Sequence, residues 1–510
     1  MEDNNKEVKR KQVTKRKDKK DMTRPEKIKA FLRSKLFGII LSGVQLIFTV
    51  IFLSELLYLN ILPLKYFLPL TLILLLIVAY TFLTAQSRKF RTFGKILSVL
   101  FVVLYSMGIY YVGAANGMFD RISGANSKTD IINIYVLKDN SAENIQDAKD
   151  YTFGILSSVD RENTDKTIDD IEENVGQEIK VEEFESWPEL IASLYDGSVG
   201  AIILNSGYIS SIVETEGYET FESDTKVLMK KEIVTIIDVD TNKDVTDNTF
   251  AIYISGIDVA GNISRTSRSD VNIIAVVNPD TKQVLLLNTP RDYYVNLAIK
   301  NNPMDKLTHA GIYGVDTSME TLEMLYDTDI DYYFRINFTG FKNVIDALGG
   351  IEVNSEYSFT TTHGGYYIKK GINNLNGNQA LGFVRERYAF GTGDNQRGKN
   401  QMAVITAVIN KMASSAILND FTGLMDSLSG SFQTSMTSSQ ISSLVRMQLN
   451  EGGSWNVVNY AVTGSGKNDY CYSLGSSNYV MVPDTNTVEN AKKLIQMVYD
   501  GKTLSLEGIE

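Results

Sequence analysis

The sequence predicts an α/β protein: three N-terminal transmembrane helices, a small α/β domain, then a larger α/β domain whose central mixed sheet is flanked by helices. Three observations predict it. Long apolar runs lie between Leu36 and Val112, strand-like and helix-like stretches alternate over about 128–240, and a second alternation begins near Phe250. The expected division is 1–35, a basic tail; 36–114, the spans; 115–242, an accessory domain; and 243–510, the main domain.

The 510 residues suffice for two or three domains with sizeable cores. Hydrophobic content of 44% and charged content of 22% are those of a globular chain. Charge is unevenly spread: residues 1–35 carry 14 Lys/Arg against 6 Asp/Glu, whereas 115–510 carry 31 against 54. An acidic domain of that size is a poor binder of nucleic acid, which demands a basic surface. The single cysteine, Cys471, makes no intramolecular disulfide, so the core must hold the fold.

The runs "LFGIILSGVQLIFTVIFLSELLYL", "ILPLKYFLPLTLILLLIVAYTFLTA" and "ILSVLFVVLYSMGIYYVGAA" are each about long enough to cross a bilayer, which takes roughly 20 apolar residues. A secretory signal would be one shorter run with a cleavage site. The tail and the loop after the second run, with Arg88, Lys89, Arg91 and Lys95, carry the positive charge, whereas the loop after the first carries only Lys65. The positive-inside rule therefore keeps the tail cytoplasmic and puts 115–510 outside the cell, on a multi-pass membrane protein. The tail reads as a topology anchor drawn to anionic lipid.

The stretch "AANGMFDRISGAN" reads as a linker. "INIYVL" and "GAIILN" read as strands, and "KTIDDIEENV" and "WPELIASLYDG" as helices. This first α/β domain shows no Gly-rich phosphate loop and no His or Cys cluster. In the second domain "FAIYISGID", "DVNIIAVVNP", "QVLLLNTPRD" and "DYYFRINF" read as strands, with "EVNSEYSF" and "ALGFVRER" extending the sheet. "SMETLEMLYD", "GFKNVIDALGG" and "KNQMAVITAVINKMAS" read as helices, with further helices near 438–449 and 487–499.

The chemistry gathers at strand ends and turns. Asp258 closes a strand, Arg265, Arg268 and Asp270 precede the next, and Arg291 and Asp292 follow a long apolar one. If "FVRER" is a strand, Arg385 and Arg387 share a face and Glu386 points away. Arg397 and Gln401 are i, i+4 on one helix. Guanidinium groups in that number suit a polyanion, since they bond phosphate bidentately and stay charged. Paired aspartates suit a hard cation, magnesium being the usual companion of phosphate. The set proposes a site for pyrophosphate or a phosphodiester. Any one Arg–Asp pair is more often a surface salt bridge, so the weight lies on the joint spacing. His309 and His363 form no metal motif and read as structural, and Cys471 has no partner base.

Taken together, "YISGIDVAG…SRTSRSDVNIIAVVNPDTKQVLLLNTPRD", "DKLTHAGIYG", "FTGFKNVIDALGGIEV", "LNGNQALGFVRER" and "GDNQRGKNQ" resemble the LytR–CpsA–Psr family over a motif core of about 250–412. The three spans and the extra domain resemble its capsule-associated CpsA branch. The chain departs from many members at Asn400 (often Arg), Met402 (often Gln) and Tyr293 (often Thr or Ser).

The resemblance implies a membrane-anchored phosphotransferase. It would attach polyprenyl-pyrophosphate-linked polysaccharide, capsular by branch, to peptidoglycan through a phosphodiester, with pyrophosphatase activity as a side reaction. By matching motif, Asp258 and Asp270 would hold Mg2+, or Mn2+ in its place, and Arg268, Arg291, Arg385, Arg387 and Arg397 would clamp the pyrophosphate, Gln401 adding a hydrogen bond. Asp258, Asp270 and Arg291 are the expected catalytic residues. Membrane lipid and other capsule-assembly proteins are further expected partners. The alternative is a non-catalytic regulator of capsule polymerisation or chain length that binds lipid-linked intermediates.

Overall fold

The computed structural model describes residues 23–122, 127–237, 243–257, 263, 265–391, 393–414, 428 and 430–509, except for the side chains of 118–122. The chain divides into two compact units, Met1–Ala114 and Ala115–Glu510.

In the first unit a short helix α1 (Arg24–Leu32) precedes α2 (Lys35–Leu59), α3 (Leu64–Gln86) and α4 (Arg91–Ile122). Spans Lys35–Leu59, Leu64–Gln86 and Arg91–Gly117 are long and apolar enough to cross a membrane, with mean hydropathies of 2.5, 2.3 and 2.0. Two polar groups among them are paired: Thr81 Oγ1 donates to Gln45 Oε1 at 2.7 Å, and Lys95 Nζ donates to the Leu32 and Ser34 carbonyls at 2.6 and 2.7 Å. Helix α4 continues to Ile122, through part of the stretch read as a linker, because "AANGMF" holds no proline and its glycine alone does not stop a long helix.

The second unit holds two main sheets. The first has strand order β3-β2-β4-β1-β5, from β1 (Ser127–Leu137), β2 (Thr152–Leu156), β3 (Lys180–Phe184), β4 (Ala201–Asn205) and β5 (Thr225–Ile236). Helices α5 (Arg161–Val175) and α6 (Trp187–Tyr195) cover opposite faces: Ile171 packs with Ile132 and Phe153, whereas Leu190 packs with Leu156 and Ile202. After β4 come two short helices, α7 (Ile209–Val213) and α8 (Phe221–Asp224).

The six-stranded sheet has order β16-β11-β6-β7-β8-β17, with β6 (Phe250–Ile257), β7 (Ser269–Asn278), β8 (Gln283–Asn288), β11 (Tyr332–Asn337), β16 (Phe432–Thr434) and β17 (Asn456–Ala461). Pairs β6–β11 and β8–β17 are parallel and the others antiparallel, so the sheet is mixed. Short strands β9 (Tyr294–Asn296) and β10 (Met304–Lys306) lead into α9 (Leu307–Tyr313) and α10 (Val315–Tyr326). Helix α11 (Phe338–Ala347) follows β11. Strand β12 (Ile351–Ser355) pairs with β15 (Gly371–Leu375), and β13 (Phe359–Thr360) with β14 (Tyr367–Ile368). Helices α12 (Gly377–Arg385) and α13 (Asp394–Ala413) come next. The chain closes with α14 (Ser438–Glu451), the hairpin β18 (Gly464–Cys471) and β19 (Ser476–Pro483), and α15 (Thr485–Tyr499).

Two expectations fail here. "EVNSEYSF" does not extend the central sheet; among the described residues its strand β12 pairs with β15 in a separate two-stranded sheet. "ALGFVRER" is not a strand. It forms α12 and the turn after it, started by a capping box in which Asn376 and Gln379 exchange side-chain and backbone bonds. The burial of Ala380 and Phe383, three apart, is the helical period that outweighs the β-like "FV".

Alternation along the strands builds two cores. Ile274, Val276, Leu285 and Leu287 face Leu322 of α10 and Leu494 and Val498 of α15. Ile273, Ala275, Val284 and Leu286 face the other way, onto Met402 of α13. A third core joins the two sheets: Tyr135, Trp187, Leu190, Ile202 and Leu204 pack with Ile312, Cys471, Leu474 and Val480.

Candidate anion site at the sheet edge

Register sets the site. Ile257 ends β6 opposite Ser269 at the start of β7 and beside Asn337 at the end of β11; Asn288 ends β8 opposite Ile273. The residues just beyond these ends therefore share one edge of the sheet. Asp270 is the second residue of β7, and Arg291 follows β8 across Thr289–Pro290. They meet: Arg291 donates from a terminal nitrogen to Asp270 Oδ1 at 3.0 Å. Thr308 Oγ1 reaches the same oxygen at 3.4 Å.

Two glycines permit close approaches at this edge. A Cβ on Gly311 of α9 would lie 2.5 Å from the Ser267 carbonyl, so glycine lets α9 press on the loop that holds Arg268. A Cβ on Gly398 would lie 2.3 Å from Asn288 Nδ2, so glycine seats the start of α13 on the end of β8. That contact brings Arg397, in the first turn of α13 and ion-paired with Asp394, to the Asp270–Arg291 pair.

The electrostatics follow. Burial works against ionisation of Asp270, but the Arg291, Arg268 and Arg397 charges outweigh it and hold its carboxyl below the usual range. Burial likewise opposes the charge on Arg291, and Asp270, Asp292 and Asp394 more than restore it. Arg397 lies the other way: burial lowers its pKa, Asp394 opposes this and Arg291 adds to it. Arg268 bonds bidentately to Glu214, at 2.8 and 2.7 Å. The Nε atoms of Arg268 and Arg291 are buried with no hydrogen-bond partner among the described residues. Such donors are costly to leave unmet, so they mark where an acceptor belongs.

Arg385, the last residue of α12, lies over the Phe338 ring at 4.3 Å, at the end of β11. Arg387 is half-buried, has no carboxylate partner among the described residues, and acts electrostatically on Arg397. Between them Glu386 turns inward and is 1% exposed, accepting from the Arg387 and Ala389 amides at 3.1 and 3.0 Å and from Thr362. It folds the turn that presents the two arginines, which strand alternation does not explain.

Gln401 is buried and donates to the Val384 carbonyl at 3.4 Å; Asn400 donates to the Phe383 carbonyl at 3.2 Å. Both tie α13 to the end of α12, so Gln401 holds Arg385 and Arg387 in place through one of its two amide N–H groups. Tyr293 supports the β18–β19 end, donating to the Thr463 carbonyl at 2.8 Å, and Met402 lies in the core. Arg265 turns to the accessory sheet, bridging to Thr129. Asp258 lies outside the described residues.

Glu214, at the end of α7, escaped the sequence reading. Nothing in "IVETEG" marks a site, and only the packing of α7 beside the Arg268 loop brings it there. His309 is buried on Asp305 at 2.7 Å, and His363 is exposed. Burial, then the Asp305 charge, push the Cys471 thiol up to about 12, which suits a core residue.

Among the described residues no group of three or more His, Cys, Asp or Glu side chains could hold a metal ion. Magnesium needs less than that: one or two carboxylates, with water and phosphate oxygens completing its shell. Asp270, ionised at the mouth of an anion site, is a donor of that kind.

Fold and site thus define an α/β domain, in a chain with apolar spans, that presents arginines and a buried carboxylate at one sheet edge. A family model described as the LytR_cpsA_psr family matches residues 211–496, and the chain belongs to this family. The protein named polyisoprenyl-teichoic acid–peptidoglycan teichoic acid transferase TagU from Oceanobacillus iheyensis is 35% identical over 207 residues, 39% of this chain and 63% of that protein. The protein of the same name from Bacillus mycoides is 31% identical over 246 residues, 48% of this chain and 79% of that one. The crystal structure of Bacillus subtilis TagV superposes with a TM-score of 0.43 at 27% identity, covering 50% of this chain and 99% of that one. A second model, described as a DNA polymerase processivity factor, matches 88–204. That stretch opens in a span-length apolar helix and stops before β5, so it corresponds to no folded unit of this chain.

Proposed function

We propose that this chain is a membrane-anchored phosphotransferase that moves a glycopolymer from a polyprenyl pyrophosphate to peptidoglycan. The observation that carries this reading is the pair of buried, unmet guanidinium Nε atoms on Arg268 and Arg291 beside an ionised Asp270. They give two phosphate groups donors on one side and a carboxylate to order the site on the other. Arg397, Arg387 and Arg385 complete the clamp.

In the reaction the acceptor hydroxyl oxygen attacks the phosphorus that carries the glycopolymer. A new P–O bond forms, the bond to the lipid phosphate breaks, and polyprenyl phosphate leaves with the electron pair. The arginines offset the charge that gathers on the phosphate oxygens. Asp270 holds Arg291 in register, and either it or Asp258, the second carboxylate of this reading, takes the hydroxyl proton. Asp270 would also hold magnesium, or manganese in its place, which when bound adds charge stabilisation. Water in place of the sugar hydroxyl gives pyrophosphate hydrolysis. Half-buried Ile252, Ile254 and Val271, on the sheet face toward α13, offer the polyprenyl chain an apolar bed. The apolar spans keep the site near a lipid that cannot leave the bilayer. The accessory sheet, by its resemblance to the capsule branch, favours capsular polysaccharide; the relatives' names specify teichoic acid.

The test uses the full chain in detergent with magnesium, a peptidoglycan oligomer, and lipid-pyrophosphate donors carrying either a capsular or a teichoic-acid repeat. Mass spectrometry should find the phosphodiester-linked product. It should vanish in Asp270→Ala and Arg387→Ala. Tight donor binding without product from either donor would replace this reading with the regulator.

A further inference from the structure

We propose that Glu214 is a residue of the diphosphate site: a carboxylate from the accessory sheet that occupies Arg268 while the site is empty and is displaced when the diphosphate binds. This rests on the reading above.

The Arg268–Glu214 pair is the fork-to-fork geometry that an arginine offers a phosphate: both terminal nitrogens donate to the two carboxylate oxygens, at 2.8 and 2.7 Å. The carboxylate therefore stands where two phosphate oxygens would stand. The two partners differ in burial. The Arg268 side chain is 9% exposed and that of Glu214 is 54% exposed. Arg268 is fixed in the site, whereas Glu214 can swing into water. Its backbone is anchored, since α7 packs through buried Ile212 into the core that joins the two sheets. Its carboxylate has no other hydrogen-bond partner among the described residues. Its end-on grip on the two terminal nitrogens leaves Arg268 Nε buried and without a hydrogen-bond partner among the described residues, a donor open to a further acceptor.

Glu214 also faces the rest of the site. It feels the charges of Arg291 and Asp270 as well as that of Arg268. With Glu214 in place, its carboxylate joins those of Asp270, Asp292 and Asp394 in offsetting the guanidiniums of Arg268, Arg291, Arg387 and Arg397. A diphosphate that replaces Glu214 takes over its role in that balance. Linkage then runs both ways: whatever holds Glu214 on Arg268 weakens diphosphate binding, and bound diphosphate frees the end of α7. The accessory sheet is thereby coupled to occupancy of the site.

The probe is farnesyl diphosphate, titrated calorimetrically into the full chain in detergent. Glu214→Gln should tighten binding about tenfold, by removing a charged competitor held through two hydrogen bonds and partly screened by water. In an Arg268→Ala background the same change should have little effect, because the competition is for Arg268. Unchanged or weaker binding in Glu214→Gln would overturn the proposal and make Glu214 a brace. The parent reading fails separately: it falls if the diphosphate binds neither the wild type nor Glu214→Gln, or binds both without loss in Arg291→Ala.

Discussion

A single carboxylate surrounded by cations has two separable effects. Asp270 touches Arg291 at 3.0 Å and lies in the field of Arg268 and Arg397. Its charge lowers the anion affinity of the site, yet it orders Arg291 and, in the proposed reaction, would accept a proton. Asp270→Asn keeps the shape and removes the charge. In chelator, farnesyl diphosphate should bind this variant more tightly than wild type, about tenfold or less, because a like charge has left the site. Transfer should fall by at least about 100-fold, the usual scale for a lost general base. Transfer near the wild-type rate would remove Asp270 from the chemistry. At this scale much was legible: Asp270, Arg268, Arg291 and Arg397 were named from residue type and position at strand and helix ends. Glu214 and Glu386 were not, since a lone glutamate in a polar stretch carries no signal until tertiary contacts give it a guanidinium or a set of amides.

At the scale of elements, the sequence failed where helix and strand patterns compete. "FVRER" has the β-branched and aromatic start of a strand, but the capping box at Asn376 and the inward Glu386 make it a helix and a turn. The arginines still reach the site, by a different route. The junction between the two sheets was legible only as alternating elements, not as a shared surface. There Thr266 donates to Asp130 at 2.8 Å, and Asn205 donates to Asp160 at 2.7 Å. Burial first, and then the nearby Asp130 charge, raise the Asp160 carboxyl to about 7, while hydrogen bonds from Asn205 and Asn163 and the charge of Lys128 oppose the shift. The group binds its proton more tightly folded than unfolded. Its contribution is therefore full below about pH 4, the unfolded range, and is lost as pH rises through about 7. The second unit should melt at a higher temperature at pH 5 than at pH 8, and Asp160→Asn should flatten that difference. A wild-type melting temperature that rises between pH 5 and pH 8, with the same slope in Asp160→Asn, would show that Asp160 does not govern the junction.

At the scale of the whole molecule, charge and topology set where the chain can act. The tail is basic, with 14 Lys/Arg against 6 Asp/Glu, and residues 115–510 are acidic, with 31 against 54. Three apolar helices are long enough to cross a membrane, and three crossings would put tail and site on opposite faces. The positive-inside rule would then give the cytoplasm to the tail and to the loop holding Arg88, Lys89 and Arg91. On that topology the acidic second unit, with its cluster of arginines at a sheet edge, would meet a lipid-linked anion at the outer surface, where peptidoglycan lies. The prediction uses alkaline phosphatase, which is active only outside the cytoplasm. Fused after Glu510 it should be active, and fused after Ser87 it should be silent. The reverse pattern would put the arginines on the cytoplasmic side, out of reach of peptidoglycan, and the transfer reading would fall while the anion site stood. Activity at both positions would mean that the third apolar helix, the one span between Ser87 and Glu510, does not cross the membrane.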